Sequence, residues 1–93
     1  MRVELTSLNT IRHNKQNVGT TAIALGENSG RRHVLAIYNN SNKTVYLGNS
    51  DVTINNGFPL LGKSFFEISS EANLVLYGLV ENGIAEIRYM EGG

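Results

Sequence analysis

Twelve asparagines and ten glycines interrupt this chain so often that no long regular element fits between them. Both residue types accept the positive φ that tight turns need. The pieces between them are short and rich in β-branched or aromatic residues, the pattern of strands joined by turns. No window of about ten residues keeps apolar positions at i, i+3, i+4 and i+7, so a helix has no face to bury. The expected fold is therefore all-β: a small antiparallel β-sandwich or jelly roll of about seven or eight short strands.

With 93 residues the chain has room for one domain, residues 1–93, and a modest core. Domains this small usually gain stability from disulfides, a structural metal or oligomerisation. Cysteine is absent, which removes disulfides and thiolate metal sites together. Oligomerisation is the route left. Eight Lys and Arg balance eight Asp and Glu, and the one basic cluster, Arg31-Arg32-His33, is too small to hold a duplex. Nucleic acid is disfavoured as a partner. No apolar run approaches the roughly 20 residues of a membrane span, and the N-terminus lacks a signal-peptide layout, so no membrane partner is expected.

Strands are expected at residues 3–8, 18–25, 32–38, 44–47, 64–69, 74–80 and 84–90, with a short extended piece at 52–54. Residues 9–17 read as a polar link and 26–30 as a loop. Asn39-Asn40-Ser41-Asn42-Lys43 turns the third strand into the fourth. Asn56-Gly57 marks a tight turn, and Asn82-Gly83 between two apolar runs is the clearest hairpin signal. The lone proline, Pro59, falls between two candidate strands.

Alternation assigns the faces. In the last strand Ala85, Ile87 and Tyr89 oppose Glu86 and Arg88, giving one buried and one wet face. In the third strand Val34, Ala36 and Tyr38 oppose Leu35 and Ile37, and both sets are apolar. Residues 74–80 are likewise apolar on both faces. The expected core includes Val34, Tyr38, Tyr77, Ile87 and Tyr89. The expected oligomer or capsid interface is Leu35, Ile37, Val75 and Leu79, covered by a neighbouring subunit or by the N-terminal segment.

Catalytic chemistry is hard to assemble from these residues. His13 lies in a polar link, and His33 opens a strand behind two arginines that disfavour its protonated form. Asp51, the only aspartate, sits in Gly48-Asn49-Ser50-Asp51, which reads as an Asx-type turn before a calcium site completed by Asn49 and Asn55. Glu67, Glu71, Glu81, Glu86 and Glu91 are dispersed, with no sign of a paired acid and base. Gly26 and Gly30 lack the Lys-Ser/Thr and the helix of a phosphate loop. Asn39-Asn40-Ser41 and Asn42-Lys43-Thr44 fit the glycosylation pattern but read as turns. Tyr38, Tyr46, Tyr77 and Tyr89 suit a core or interface, with a sugar-binding surface as the alternative. No catalytic residue, metal or cofactor is expected.

Several words recur in order: Arg32 before the apolar strand Val34 to Asn39, then Val45-Tyr46-Leu47-Gly48, Asp51-Val52-Thr53 and Gly57-Phe58-Pro59-Leu60. Gly62, Leu76-Tyr77-Gly78, Gly83 and Ala85-Glu86-Ile87-Arg88 complete the series. In these features the stretch from Arg31 to Arg88 resembles a family of small virion-associated proteins encoded among tailed-phage structural genes. The resemblance implies a non-enzymatic β-sandwich that decorates or connects parts of the particle in multiple copies. Taken with the neutral charge and the doubly apolar strands, it leads to the expectation of a homo-oligomer, a trimer or ring, on the capsid as a decoration or cement protein, assembled in the host bacterial cytoplasm. A neck, collar, tail or fibre component, or a carbohydrate-binding host-recognition module, is the alternative. Residues 1–30 lie outside the stronger match and form a candidate docking arm.

Overall fold

The computed structural model describes residues 11–27, 34–69 and 74–92. Eight strands form two antiparallel sheets: β1 (Ile11–Val18), β2 (Ile23–Ala24), β3 (Val34–Asn39), β4 (Val45–Gly48), β5 (Phe58–Leu60), β6 (Phe65–Ser69), β7 (Tyr77–Leu79) and β8 (Ala85–Gly92). The first sheet runs β1-β8-β3-β6 and the second β2-β7-β4-β5. This is the jelly-roll order, with no helix among the described residues. The expected strand at residues 3–8 lies outside the described residues.

Among the eight described strands, β4 and β5 are the only consecutive pair that shares a sheet. Every other connection crosses the sandwich. The two expected hairpins are therefore corners: residues 40–44 pass from β3 in one sheet to β4 in the other, and residues 80–84 from β7 to β8. Gly83 does take the positive φ of 72° that its Asn-Gly context anticipates. A tight local turn fixes chain reversal, but not whether the returning strand pairs with its predecessor or faces it.

Four corners gather at one end of the sandwich, and backbone hydrogen bonds tie them to one another. Val80 N–H donates to the Gly19 carbonyl at 2.9 Å, Asn40 N–H to Glu86 at 2.9 Å and Lys63 N–H to Asn39 at 2.8 Å. Asn39 sits at the junction and is fully buried. Its Nδ2 donates to the Lys43 carbonyl at 2.7 Å and the Leu60 carbonyl at 2.9 Å, while its Oδ1 accepts from Ser41 Oγ at 2.6 Å. One amide thus joins the end of β3 in the first sheet to the start of β4 and the end of β5 in the second.

That junction decides which face of β3 is inside. Asn39 must point into the corner, so Leu35 and Ile37 share its face and are buried at 1% and 0% exposure. Val34 is half-buried and Tyr38 is 39% exposed on the opposite face. The expected assignment of β3 is thereby reversed: Leu35 and Ile37 are core residues, and Val34 and Tyr38 are not. With both faces apolar, alternation alone carries no sign. In β8 the polar alternate positions supply one, and Ala85, Ile87 and Tyr89 are buried. They pack in a cluster with Val18, Leu25, Leu35, Ile37, Val45, Leu47, Leu60 and Val80.

Two strands arise where none was expected. Residues 11–18, read as a polar link, form β1 along the full length of β8, from Ile11 opposite Gly92 to Val18 opposite Ala85. Its inward Arg12 and Gln16 are matched by Glu91 on the neighbouring strand and by backbone groups across the sandwich. Gln16 Nε2 donates to the Ala24 carbonyl at 2.9 Å, and its Oε1 accepts from Gly26 N–H at 3.0 Å. Strand β5 contains Pro59, which an edge strand tolerates because one row of its backbone groups has no ladder partner. The expected strand at 18–25 reduces to β2, and of the expected extended piece at 52–54 residues 52 and 53 have no regular structure while 54 begins a turn.

Asn39→Ala should destabilise the fold by about 2–4 kcal/mol, since two carbonyls at the junction lose their donor. Asn39→Asp should be worse at neutral pH, because a carboxylate faces two carbonyl oxygens and cannot donate to them. Its folded pKa would be raised above the unfolded value, so stability should recover as pH falls through the folded value. Urea denaturation of both variants between about pH 4 and 8 checks this, and a pH-independent deficit in the Asp variant would contradict the junction's role.

Candidate functional site

The two outer faces of the sandwich differ. On the second sheet, Tyr46, Leu79, Gly48 and Tyr77 point away from the core, and the loop after β4 folds back over them. Val52 in that loop is buried and packs onto glycine surfaces: a Cβ on Gly48 would lie 2.8 Å from Val52 Cγ2, and one on Gly57 2.7 Å from Tyr46 Cβ. The loop is shaped by its own polar side chains. Thr53 N–H donates to Asn56 Oδ1 at 2.8 Å, Ser50 N–H to Asn49 Oδ1 at 2.8 Å, and Val52 N–H to the Asn49 carbonyl at 2.9 Å. Asp51 lies exposed in this turn. Leu79, an expected interface residue, is 8% exposed, and Tyr77 and Val75 are half-buried. The loop covers the part of this face around Gly48 and Tyr46, while a groove of about 550 Å³ lined by Gly48, Ser50, Leu74 and Tyr77 stays open beside it.

The outer face of the first sheet has no such cover among the described residues. Phe65 is 70% exposed, Met90 52% and Tyr38 39%. Together with His13, Lys15, Ala36 and Arg88 they line a shallow groove of about 570 Å³, in which Ala36 has the smallest side chain. These positions are adjacent because the registers stack them: Lys15 opposite Arg88, Arg88 opposite Tyr38, Tyr38 opposite Phe65. The residues that form the exposed apolar face are thus Tyr38, Phe65 and Met90, not the Leu35 and Ile37 that sequence alternation assigned to it. Phe65 was legible as an aromatic on a short strand; its outward direction follows only from the parity of β6 relative to β3.

The charged groups are mostly engaged in holding the sandwich. Arg88 Nε donates to Glu86 Oε2 at 2.7 Å on the outer face, and Asn40 Nδ2 reaches the same oxygen at 3.3 Å. The Arg88 hydrogen bond, with that of Asn40 second, holds the Glu86 carboxyl below its ordinary range. At the end opposite the corners, Glu91 is fully buried on the inner face of β8. Arg12 Nη2 lies 3.7 Å from Glu91 Oε1, and its Nε 3.7 Å from Glu27 Oε1. Glu27 N–H donates to Glu91 Oε2, and Tyr89 Oη donates to Glu27 Oε2 at 3.4 Å. Burial first, and the neighbouring Glu27 carboxylate second, push the Tyr89 phenol above its usual pKa.

The remaining candidates scatter. His13 is exposed on β1, while His33, Arg31 and Arg32 and also Glu71 lie outside the described residues. Glu67 is on the exposed face of β6, Glu81 in the corner before β8, and Glu86 and Glu91 on opposite faces of β8. No group of three or more His, Cys, Asp or Glu positioned to hold a metal occurs among the described residues. Tyr89 is core, Tyr38 belongs to one outer face, and Tyr46 and Tyr77 to the other, so the four tyrosines form no single surface.

The chain matches no protein-family model and no curated protein sequence. A chain from the structure of Bacillus endospore appendages, which form a novel family of disulfide-linked pili, aligns over 89% of this chain and 88% of its own, at 14% identity and a TM-score of 0.40. Likeness at that level carries over nothing about function.

Two measurements check the electrostatics. In an alkaline absorbance titration of the phenolates, one of the four tyrosines should ionise last, and Tyr89→Phe should remove that late step. Because the folded pKa of Tyr89 exceeds the unfolded value, its contribution to stability is complete below the ordinary tyrosine range and is lost as pH rises through the folded value. Arg12→Leu should cost up to about 3 kcal/mol by removing a cation that lies beside the buried Glu91 carboxylate. Adding Glu91→Leu should return most of that loss in a denaturation double-mutant cycle.

Proposed function

We propose that this protein is a non-enzymatic structural component of a tailed-phage virion, assembled in multiple copies and acting on the head as a decoration or cement protein. The observation that carries the reading is the contrast between the two outer faces. A small domain that folds a loop over one face, yet leaves Phe65, Met90 and Tyr38 open on the other, has a surface suited to contact with another subunit. The stretch from Arg31 to Arg88, through its resemblance to virion-associated proteins, supports the particle as the place where that contact is made.

The placement of the ionisable groups also favours structure over catalysis. Glu91, Arg12, Glu27 and Tyr89 contact one another at one end of the sandwich, and Glu86 pairs with Arg88 beside the groove. These groups are engaged with one another instead of converging on an open site, whereas a general acid or base must reach a substrate.

Quantitative mass spectrometry of purified particles from the phage that encodes the chain tests the reading. On the order of hundreds of copies per particle is expected for a head decoration, set by capsid symmetry. Particles of a deletion strain should lose resistance to heat or chelation and regain it when the purified chain is added back. Absence from the particle would overturn the proposal, and about a dozen copies or fewer would move it to the neck or tail.

A further inference from the structure

We propose that the outer face of the first sheet is a two-fold interface with a second copy of this chain, with β1 of each copy lying over β6 of the other. The inference deepens the assembly reading above by assigning the surface, the partner and the register.

The argument starts from the hydrogen-bond registers, which place outward side chains in level rows across the sheet. One row contains Lys15, Arg88, Tyr38 and Phe65 in that order from β1 to β6. The next contains His13, Met90, Ala36 and Glu67. In each row the basic groups lie on the β1 and β8 side. The aromatic rings and the Glu67 carboxylate lie on the β3 and β6 side. Apart from Glu86, which holds Arg88 Nε from the next outward position of β8, the face is divided into two halves of different chemistry.

A two-fold axis lying in the interface and running along the strands reverses the order of the strands but keeps each row level. It brings β1 over the partner's β6 and β8 over the partner's β3. His13 then faces the partner's Glu67. Lys15 meets the ring of the partner's Phe65, and Arg88 the ring of the partner's Tyr38, both arrangements of cation against aromatic face. The exposed thioether of Met90 enters the hollow above the partner's Ala36. Aligned sheets pack at an angle of about 30°, which displaces edge residues by less than the roughly 7 Å between same-face neighbours, within reach of these long side chains.

The other two-fold choice, with the axis across the strands, sets β1 on the partner's β1. Lys15 then approaches the partner's His13, and Phe65 lies on the partner's Glu67. Charge and shape both favour the first choice. They also favour a second copy over an unrelated partner, because one chain carries both complementary halves.

Four strands about 4.8 Å apart and some six residues long at about 3.3 Å each give a footprint of roughly 400–500 Å² per copy. This is at the lower end for specific association, so the isolated dimer should be weak, with a Kd of roughly 10 µM to 1 mM. Many such contacts on one particle act together.

Sedimentation equilibrium of the full chain, from about 10 µM to 1 mM, tests the interface with Glu67→Lys, His13→Glu and the double variant. Both positions are exposed, and unchanged thermal melting would confirm that the variants fold. A monomer–dimer equilibrium is expected for the natural chain. Each single variant should weaken it about tenfold, since the symmetry applies every change twice, and the double variant should restore it. A monomer throughout the range, a trimer or larger ring, equal association of all four proteins, or failure of the double variant to recover would overturn the interface. Particle incorporation separates this from the broader reading. A Glu67→Lys protein incorporated at normal copy number would sink the interface and leave the virion role standing. A natural chain that dimerises as described but is absent from particles would do the reverse.

Discussion

The architecture depends on one buried side-chain amide. A jelly roll sends its chain back and forth between two sheets, so something must hold the sheets in register where few backbone bonds run from one to the other. Asn39 supplies that link with two donors and one acceptor, each matched, at the point where three strands of two sheets converge. It acts with backbone bonds of the neighbouring corners, from Val80 to Gly19 and from Lys63 to Asn39. The inward direction of Asn39 passes along β3 to Ile37 and Leu35. Through the registers it passes to Phe66 and Ile68 on β6, and to Ile87 and Tyr89 on β8. What is exposed on the outer face follows from the same parity.

The opposite end of the sandwich is held differently. There the inner face of the first sheet carries charge: Glu91 is buried, with Arg12 and Glu27 beside it and the Tyr89 hydroxyl bonded to Glu27. Partners with opposite charge make such a group tolerable, whereas a lone buried carboxylate would be strongly destabilising. The two ends thus use distinct chemistry, neutral amide hydrogen bonds at the corners and ion pairs at the other end, and the apolar cluster fills the space between. Ring contact between Phe58 and Phe66, with centroids 5.7 Å apart, closes the gap between the β5 and β6 edges.

The all-β class and the approximate places of β3, β4, β6 and β8 were legible because apolar alternation and Asn-Gly turns act locally. What alternation lacks is a reference for which side is inside. In β8, Glu86 and Arg88 provide one; in β3 both faces are apolar, and the reference is Asn39, which by sequence is a turn residue. Strand β1 was invisible for the converse reason: Arg12 and Gln16 face inward, and their partners Glu91, Ala24 and Gly26 are remote in the chain or across the sandwich. Turn chemistry likewise marks a reversal at Asn82-Gly83, while pairing across the sheet is a global property. The exposed patch inherits this limit. Its members Tyr38, Phe65 and Met90 are ordinary strand residues until the parity of three strands is known together.

Strand β8 is the last of the eight in sequence yet lies inside the first sheet, between β1 and β3. While the chain is being synthesised, therefore, β1 and β3 emerge with no neighbour between them, and the face they will share stays incomplete until residues 85–92 leave the ribosome. Non-local closure of this kind is slow relative to local pairing. The open core edge of such a nascent chain offers unpaired backbone to other nascent chains on the same message. An almost wholly polar β1, with Lys15 and three uncharged amides among its eight residues, is a poor template for that mispairing. The polarity that hid β1 from a hydrophobic pattern is thus the same property that makes it a poor template for pairing before β8 is in place.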